Sequence, residues 1–186
     1  MIRSELLTIF NGLWDKAKDR LDYLKLAPEQ IEFYHNDSEL MIFNYSHWLF
    51  KHGLPSPDMT EARFFSKNLR LMGIIDAVYE NQGKTILVDY KTSKNPEVTD
   101  DINRQAAIYA FLYMDRFKKA PESIWIHFLK DVDEPKLIHV DEHLLDYAKI
   151  LVESIREKTK GFDKQSYPCT CGGYCERDFA KNASHR

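Results

Sequence analysis

The sequence predicts an α/β fold in which a mixed central sheet is flanked by helices and preceded by a helical N-terminal part. Three observations support this fold class. Through the first 57 residues, apolar positions recur at three- and four-residue steps, the period of a helical face. Short runs of alternating character follow between about residues 60 and 91, as expected for strands. Beyond residue 100, helical and strand-like patterns alternate, which indicates helices packed on a sheet.

The N-terminal part carries two helical patterns. The first runs from Arg3 to about Leu26, with apolar residues on one face. The second begins at Pro28, because proline suits the first turn of a helix, and ends at Gly53. It predicts one helix, or two that are broken near residues 36–38.

The central part predicts a three-stranded antiparallel meander followed by further elements. Its strands are EARFF, LRLMGIIDAVYE and KTILVDYK, with a hairpin turn at residues 81–83. We expect a helix that is capped by Asp100-Asp101 and reaches about Lys119. Two further strands, SIWIHFLK and KLIHVD, are predicted to join the sheet. A last helix, from about Glu142 to Thr159, is predicted to pack on it.

Length and composition predict a single domain over residues 1–186. Of these residues 44% are hydrophobic and 13% aromatic, enough for a sizeable core. We divide the domain into a helical part (1–57), a core (58–160) and a cysteine-containing tail (161–186). Because no run approaches the roughly 18 apolar residues of a membrane span, and the N-terminus meets charge too early for a signal peptide, we expect a cytoplasmic protein without a membrane partner.

The charge distribution restricts where a nucleic acid could bind. A formal net charge of −3 gives no bulk support to nucleic-acid binding. Between Glu61 and Lys119, however, 10 Lys or Arg residues stand against 8 Asp or Glu residues. This local excess is compatible with phosphate contacts, so any such site is expected within the central part.

Two carboxylates and a lysine on the meander are candidate active-site residues. Asp89 and Lys91 share a strand face because side chains alternate, and the hairpin allows Asp76 to approach Asp89. Two Asp carboxylates suit Mg²⁺ or Mn²⁺. A nearby ammonium can orient or deprotonate a metal-bound water, or offset charge on a phosphate. Alone, such an Asp-x-Lys step also fits a surface ion pair.

The residues around this triad resemble the nuclease core of the RecB-like PD-(D/E)XK family. Over about residues 60–115, an acid-bearing strand is followed by G-x-x-D, a hairpin into D-x-K-T, and Q-x-x-x-Y on the next helix. The family includes CRISPR-associated RecB-type exonucleases and cuts DNA phosphodiesters with Mg²⁺ or Mn²⁺. The resemblance implies a restriction-endonuclease-like fold and a metal-dependent deoxyribonuclease, an exonuclease on single strands or DNA ends, that serves DNA repair and recombination or phage and CRISPR DNA processing.

The resemblance also implies roles for individual residues. Asp76 and Asp89 match the two metal-binding acids, the backbone carbonyl of Tyr90 is a further oxygen ligand, and Lys91 matches the catalytic lysine. The catalytic set implied by the resemblance is completed by three residues, Gln105, Tyr109 and Glu61.

The roles of these three residues have alternatives. Gln105 and Tyr109 lie one helical turn apart, so they address the same phosphate or brace the same strand ends. Glu61 either supports the metal site or lies at the surface beside Arg63.

A histidine ligand is the first uncertain part of the pattern. Many family members use a histidine on an upstream helix as a metal ligand. His35 is the preferred candidate here and His47 the alternative. Without either, the site relies on carboxylates and water.

The three cysteines are the second uncertain part. Cys169, Cys171 and Cys175 resemble the latter part of an iron–sulfur staple found in some relatives, but the upstream cysteine is missing. A zinc ion completed by His185, a three-cysteine cluster with a foreign ligand, and no metal at all are the alternatives.

Two other functions fit the sequence. One is a catalytically inactive module that keeps the fold and binds nucleic acid or protein. The other is a structure-specific endonuclease. For the exonuclease and for the endonuclease the expected partner is DNA. An oligomeric assembly is compatible with either activity.

Overall fold

The computed structural model describes residues 2–52, 56–81, 83–132 and 134–160. In chain order the elements are α1 (Ile2–Lys16), α2 (Lys18–Tyr23), α3 (Pro28–His52), β1 (Met59–Ser66), β2 (Leu71–Asn81), β3 (Lys84–Lys91), α4 (Asp100–Phe117), β4 (Ser123–Phe128), β5 (Lys136–His139) and α5 (Glu142–Lys158). None of these helices is long and apolar enough to cross a membrane.

The structure divides into two units, Met1–Ala148 and Lys149–Arg186, and α5 begins in the first of them. The first unit contains the whole sheet together with helices α1 to α4. The three-part organisation of a single domain, with boundaries at residues 57 and 160, stays a prediction.

The five strands form one mixed sheet in the order β1-β2-β3-β4-β5. The pairs β1–β2, β2–β3 and β4–β5 are antiparallel, whereas β3 and β4 are parallel. A parallel pair needs a crossover connection, which α4 provides between β3 and β4. The predicted fold class, a mixed sheet with flanking helices and a helical N-terminal part, is confirmed.

Helices cover both faces of the sheet. On one face, α4 packs through its alanines, and small side chains let the helix approach the strands closely. The main residues of this core cluster are Ile75, Leu87, Ala106, Ala107, Ala110, Ile124, Ile126, Leu145 and Ala148. On the other face, α3 brings Trp48 against Trp125, with ring centroids 6.0 Å apart, and Tyr45 against Tyr90, 5.5 Å apart.

The helical N-terminal part differs from the prediction in one place. The pattern from Arg3 to Leu26 forms two helices, which are separated at Ala17. The Ala17 N–H is shared between the carbonyls of Leu13 and Trp14, at 3.1 and 3.0 Å, and the Arg20 N–H donates to the Ala17 carbonyl at 2.9 Å, so i to i−3 bonds are mixed into the α-helical ladder there. By contrast, α3 is unbroken through residues 36–38.

The ends of α4 are set by residues that flank the predicted ones. The expected cap at Asp100-Asp101 is wrong, because the N-cap is Thr99, whose side chain accepts a hydrogen bond from the Ile102 N–H at 3.4 Å. The two acids instead occupy the first turn, where negative charge favours the helix dipole. The helix ends at Phe117 because Lys118 adopts a left-handed conformation with φ 57°.

Candidate active site

The alternation of β2 changes phase at Asp76. Ile75 and Val78 both belong to the core cluster on the α4 face, whereas Ala77 and Tyr79 belong to the cluster on the opposite face. Regular alternation would put residues 75 and 77 on one side. The strand is therefore distorted at the position of the candidate acid.

Strand β1 is distorted at the same level. Thr60 pairs with Ala77 and Ala62 with Ile75, so Glu61 faces Asp76 across the two strands. Glu61 has a φ of 47°, in the left-handed region that is unfavourable for a residue with a Cβ atom. Strained backbone of this kind is concentrated at functional sites, which makes this level of the sheet a candidate site.

Asp76 and Asp89 meet across β2 and β3. Ala77 pairs with Val88, and the next residues along the two strands, Asp76 and Asp89, are close enough for their carboxyl groups to interact. The Tyr90 N–H donates a hydrogen bond to Asp76 Oδ2 at 2.8 Å. Asp89 is 4% exposed. Burial raises the pKa of Asp89, Lys91 lowers it, and the charge and hydrogen bonding of the neighbouring Asp76 carboxylate raise it further.

Lys91 links Asp89 to α4. Its Nζ atom lies 2.7 Å from Asp89 Oδ2 and donates to Gln105 Oε1 at 2.6 Å. Within the described ranges Asp89 Oδ2 has no partner in hydrogen-bonding geometry, so the close approach at that oxygen is an electrostatic one. Gln105 Nε2 in turn donates to Tyr109 Oη at 2.9 Å. A continuous polar chain therefore runs from Asp89 to Tyr109.

Tyr109 accepts the last hydrogen bond of this polar chain, from Gln105. Burial raises the pKa of its hydroxyl, as do the charges of Asp89 and Asp76, while the hydrogen bond from Gln105 lowers it. Glu61 contributes to the same upward shift. The hydroxyl consequently stays protonated and keeps an O–H to donate to a phosphate oxygen.

The glycine of the G-x-x-D motif has a packing role. A Cβ atom on Gly73 would lie 2.6 Å from Leu112 Cδ1 and 3.3 Å from Tyr109 Cε1. Both neighbours are side chains of α4, so a glycine here lets the helix pack directly on β2. This close packing holds Tyr109 next to the strand that carries Asp76.

Helix α3 braces the opposite side of the same strand ends, a contact that was not predicted from the sequence. Asn44 Nδ2 donates to the Leu129 carbonyl at 2.9 Å, and the Leu129 N–H donates to the Lys91 carbonyl at 2.8 Å. Asn44 is 5% exposed. A polar residue one turn before Trp48, on the apolar face of a helix, was the signal available in the sequence.

The two candidate histidines lie on α3 with other partners. His35 Nε2 is 3.1 Å from Asn11 Oδ1, and its ring packs against Phe10 and Trp14 of α1. His47 is exposed and stacks on Phe43, with centroids 6.3 Å apart. The contacts recorded for them in the described part of the chain do not include Asp76 or Asp89. A histidine ligand, whether His35 or His47, stays a prediction.

The donor set suits a hard cation that needs few protein ligands. In the described ranges no group of three or more His, Cys, Asp or Glu side chains is arranged to hold a metal ion. Asp76 and Asp89 supply two adjacent carboxylates, and Mg²⁺ binds through one or two carboxylates while it keeps several waters. The site therefore fits Mg²⁺ or Mn²⁺, with the Tyr90 carbonyl as a predicted further ligand.

The predicted cysteine site lies outside the described residues. Cys169, Cys171 and Cys175, together with His185, fall after residue 160. An iron–sulfur or zinc site in the tail stays a prediction.

Comparison with known proteins agrees with this geometry. A sequence model of the PD-(D/E)XK nuclease superfamily matches residues 3–178. The chain belongs to this superfamily. Its fold is also similar to the crystal structure of a protein from Eubacterium rectale that carries the provisional name exonuclease, with a TM-score of 0.53 and 14% sequence identity over 97% of this chain and 74% of the other. At that identity the likeness shows the fold alone. No curated protein matches the sequence.

The match to the PD-(D/E)XK nuclease superfamily spans all described residues except Ile2. The more specific RecB-like assignment within the superfamily stays a prediction, as do the roles of the individual site residues.

Proposed function

We propose that this nuclease-superfamily chain hydrolyses DNA phosphodiesters with Mg²⁺ or Mn²⁺, as an exonuclease on single strands or DNA ends. The observation that carries the proposal is the connected set Asp76, Asp89, Lys91, Gln105 and Tyr109 at one end of the sheet. The provisional name of the Eubacterium rectale protein supports exonuclease activity.

The two carboxylates account for the metal requirement. Asp89 is buried beside Asp76, and two adjacent carboxylates repel each other unless a proton or a cation lies between them. When bound, Mg²⁺ or Mn²⁺ supplies the Lewis acidity that polarises a phosphodiester and acidifies a water. In this proposal Asp76 and Asp89 hold the ion.

The remaining residues position the phosphate and stabilise its charge. Lys91 Nζ donates a hydrogen bond to Gln105 and lies in electrostatic contact with Asp89, so the ammonium, with three N–H groups, keeps donor capacity for a phosphate oxygen or the attacking water. Gln105 fixes the direction of the ammonium. The Tyr109 hydroxyl, kept protonated by burial and the nearby acids, donates to a second phosphate oxygen.

The test is degradation of end-labelled single- and double-stranded DNA with Mg²⁺, Mn²⁺ or EDTA. Asp89→Asn and Lys91→Ala should each lower the metal-dependent rate by about 100-fold or more, the usual loss for a group that stabilises transition-state charge. Matched controls are Asp101→Asn and Lys84→Ala, which remove the same charges from exposed ion pairs with Arg104 and Glu122.

The outcomes separate the site from the mode of cleavage. The controls should retain wild-type rates, and activity that survives both Asp89→Asn and Lys91→Ala would refute the site assignment. Circular single-stranded DNA should resist an exonuclease, whereas its linearisation would indicate the endonuclease alternative.

A binding module without catalysis is the second candidate. Among the described residues, no three His, Cys, Asp or Glu side chains are arranged to hold a metal ion, which favours it. Calorimetry with Mn²⁺ distinguishes the two, because a catalytic site takes up metal in a manner that depends on Asp76 and Asp89. Metal uptake that is unchanged in Asp76→Asn and Asp89→Asn would support the binding module.

A further inference from the structure

An exposed aromatic surface lies where α3 meets the connection after β3. It consists of Phe33 and Tyr34 on α3 and Lys94 in that connection, and we name it the α3 platform. The side chains of Phe33 and Tyr34 are 50% and 49% exposed, and their ring centroids lie 5.6 Å apart with planes at 70°. Lys94 Nζ lies 5.3 Å from the centroid of the Phe33 ring. A cation over an aromatic face is a stabilising contact, so the lysine is held against the ring.

The α3 platform is close to the candidate active site. Lys94 follows Lys91 by three residues. Three residues of extended chain span at most about 11 Å, so the Cα atoms of Lys94 and Lys91 are no further apart than about that distance. Asp37 Oδ2, one turn after Phe33, lies 2.5 Å from Lys130 Nζ, and both side chains of this ion pair are largely buried. This contact ties the platform to the segment after β4.

The groups of the α3 platform suit a single strand of nucleic acid. Half-exposed aromatic rings offer faces on which unpaired bases stack, and a lysine offers charge to a phosphate. Lys94 makes no ion pair within the described part of the chain, whereas Lys130 and Arg104 are paired with acids. Its charge is therefore available to a ligand.

Acidic side chains near the α3 platform restrict the side on which the phosphate backbone of such a strand can lie. Glu29 and Glu32 are exposed on the same turns of α3 as Phe33. Their charges repel a phosphate backbone on that side. The backbone is therefore expected on the Lys94 side of the rings, which is the side that continues to Lys91, with the bases on the rings.

We propose that the α3 platform binds the bases of single-stranded DNA and guides the strand to the site around Lys91; this rests on the proposed function. At the B-form spacing of about 3.4 Å per nucleotide, a distance of at most about 11 Å between the Lys94 and Lys91 Cα atoms corresponds to no more than about three stacked nucleotides. A duplex cannot use the rings in this way, because its bases are already paired and stacked. The α3 platform is thus a determinant of single-strand preference.

The test is binding without cleavage. The anisotropy of a labelled 20-nucleotide oligothymidylate and of a labelled 20-base-pair duplex is measured in EDTA with the full chain. Stacking is worth about 1–3 kcal/mol per base, so Phe33→Leu and Tyr34→Leu should each weaken single-strand binding by about 5- to 150-fold. Leucine keeps the apolar contact and the helix propensity but removes the ring.

Two further variants sharpen the test. Phe50→Leu removes an aromatic ring that is 86% exposed near the other end of α3, and it should leave binding unchanged. Lys94→Ala should reduce the slope of log affinity against log salt concentration by about 0.7, the value for one phosphate contact on a single strand.

The outcomes decide between the inference and the proposed function. Wild-type affinity in Phe33→Leu and Tyr34→Leu, an equal loss in Phe50→Leu, or an equal loss for the duplex would each overturn the α3 platform. A wild-type protein that cleaves no DNA with either metal would refute the proposed function, while the binding measurements in EDTA would still decide the α3 platform.

Discussion

The two partners of the Lys91–Asp89 ion pair are expected to affect stability differently: replacing Lys91 should lower the free energy of unfolding, whereas replacing Asp89 should leave it unchanged or raise it. Lys91→Met removes the ammonium that lies 2.7 Å from Asp89 Oδ2 and leaves a carboxylate that is 4% exposed beside Asp76. Asp89→Asn instead removes the buried negative charge. Lys91, whose side chain is 22% exposed, remains hydrogen-bonded to Gln105 and can be hydrated.

The magnitude follows from the geometry of the pair. At 2.7 Å and an effective dielectric constant of about 20, the attraction is about 6 kcal/mol before desolvation. Removing one partner of a buried pair costs about 3–5 kcal/mol, and partial exposure of Lys91 lowers this to about 2–4 kcal/mol. Asp89→Asn should leave the free energy of unfolding unchanged or raise it by up to about 2 kcal/mol, because the substitution removes a charge that burial disfavours.

The assay is urea and thermal unfolding at pH 7.5 in EDTA, which excludes metal binding. For a chain of this size, a loss of 2–4 kcal/mol lowers the Tm by about 4–16 °C. The double variant should be more stable than Lys91→Met, with a coupling free energy of about 1 kcal/mol or more.

The pH dependence provides a second readout. Burial raises the folded-state pKa of Asp89, so the cost of its charge is present above that pKa and disappears as pH falls below the ordinary value for aspartate. The difference between Lys91→Met and the double variant should therefore shrink in acid. If Asp89→Asn loses as much stability as Lys91→Met at pH 7.5, the carboxylate is a net stabilising partner and the reasoning is wrong.

Three further substitutions test the packing, the brace and the buried histidine. Gly73→Ala should lose about 1–3 kcal/mol in urea unfolding, because its Cβ overlaps α4, whereas Gly12→Ala, with no atom within 4 Å of the added Cβ, should lose nothing. Asn44→Ala leaves the Leu129 carbonyl without its donor and should cost about 1–3 kcal/mol together with part of the nuclease rate; an unchanged rate would argue against the brace. Burial lowers the pKa of His127 to about 4 from 6.5, so folded-state stability should fall by about 3 kcal/mol as pH drops through that window, and a His127→Phe protein that keeps the same acid sensitivity would contradict this.

Several elements were predictable because local patterns determine them. The alternating run KTILVDYK becomes β3, and the strand's alternation puts Asp89 and Lys91 on the α4 face. The break at Ala17 and the cap at Thr99 were missed, because both depend on the hydrogen bonds of a single residue within an otherwise continuous pattern.

The candidate site also has one part that was predictable from the sequence and one part that was not. The spacing of Gly73, Asp76, Asp89 and Lys91 was sufficient to predict that two acids and a lysine meet on a hairpin, because a short turn restricts the register of the two strands. The glycine's packing against α4 was not predictable, since Leu112 is 39 positions away in the chain and comes near only when the crossover helix docks on the sheet.

By itself, therefore, the sequence determined the order of helices and strands and the local grouping of Asp76, Asp89 and Lys91, since both depend on side-chain periodicity over a few residues. The tertiary structure alone decided which distant groups surround that triad. Asn44 reaches the Lys91 strand through Leu129, and Phe33 reaches Lys94, across 85 and 61 positions of chain respectively. Such contacts arise when α3 packs on the sheet, and no local pattern encodes the residue that a helix will meet there.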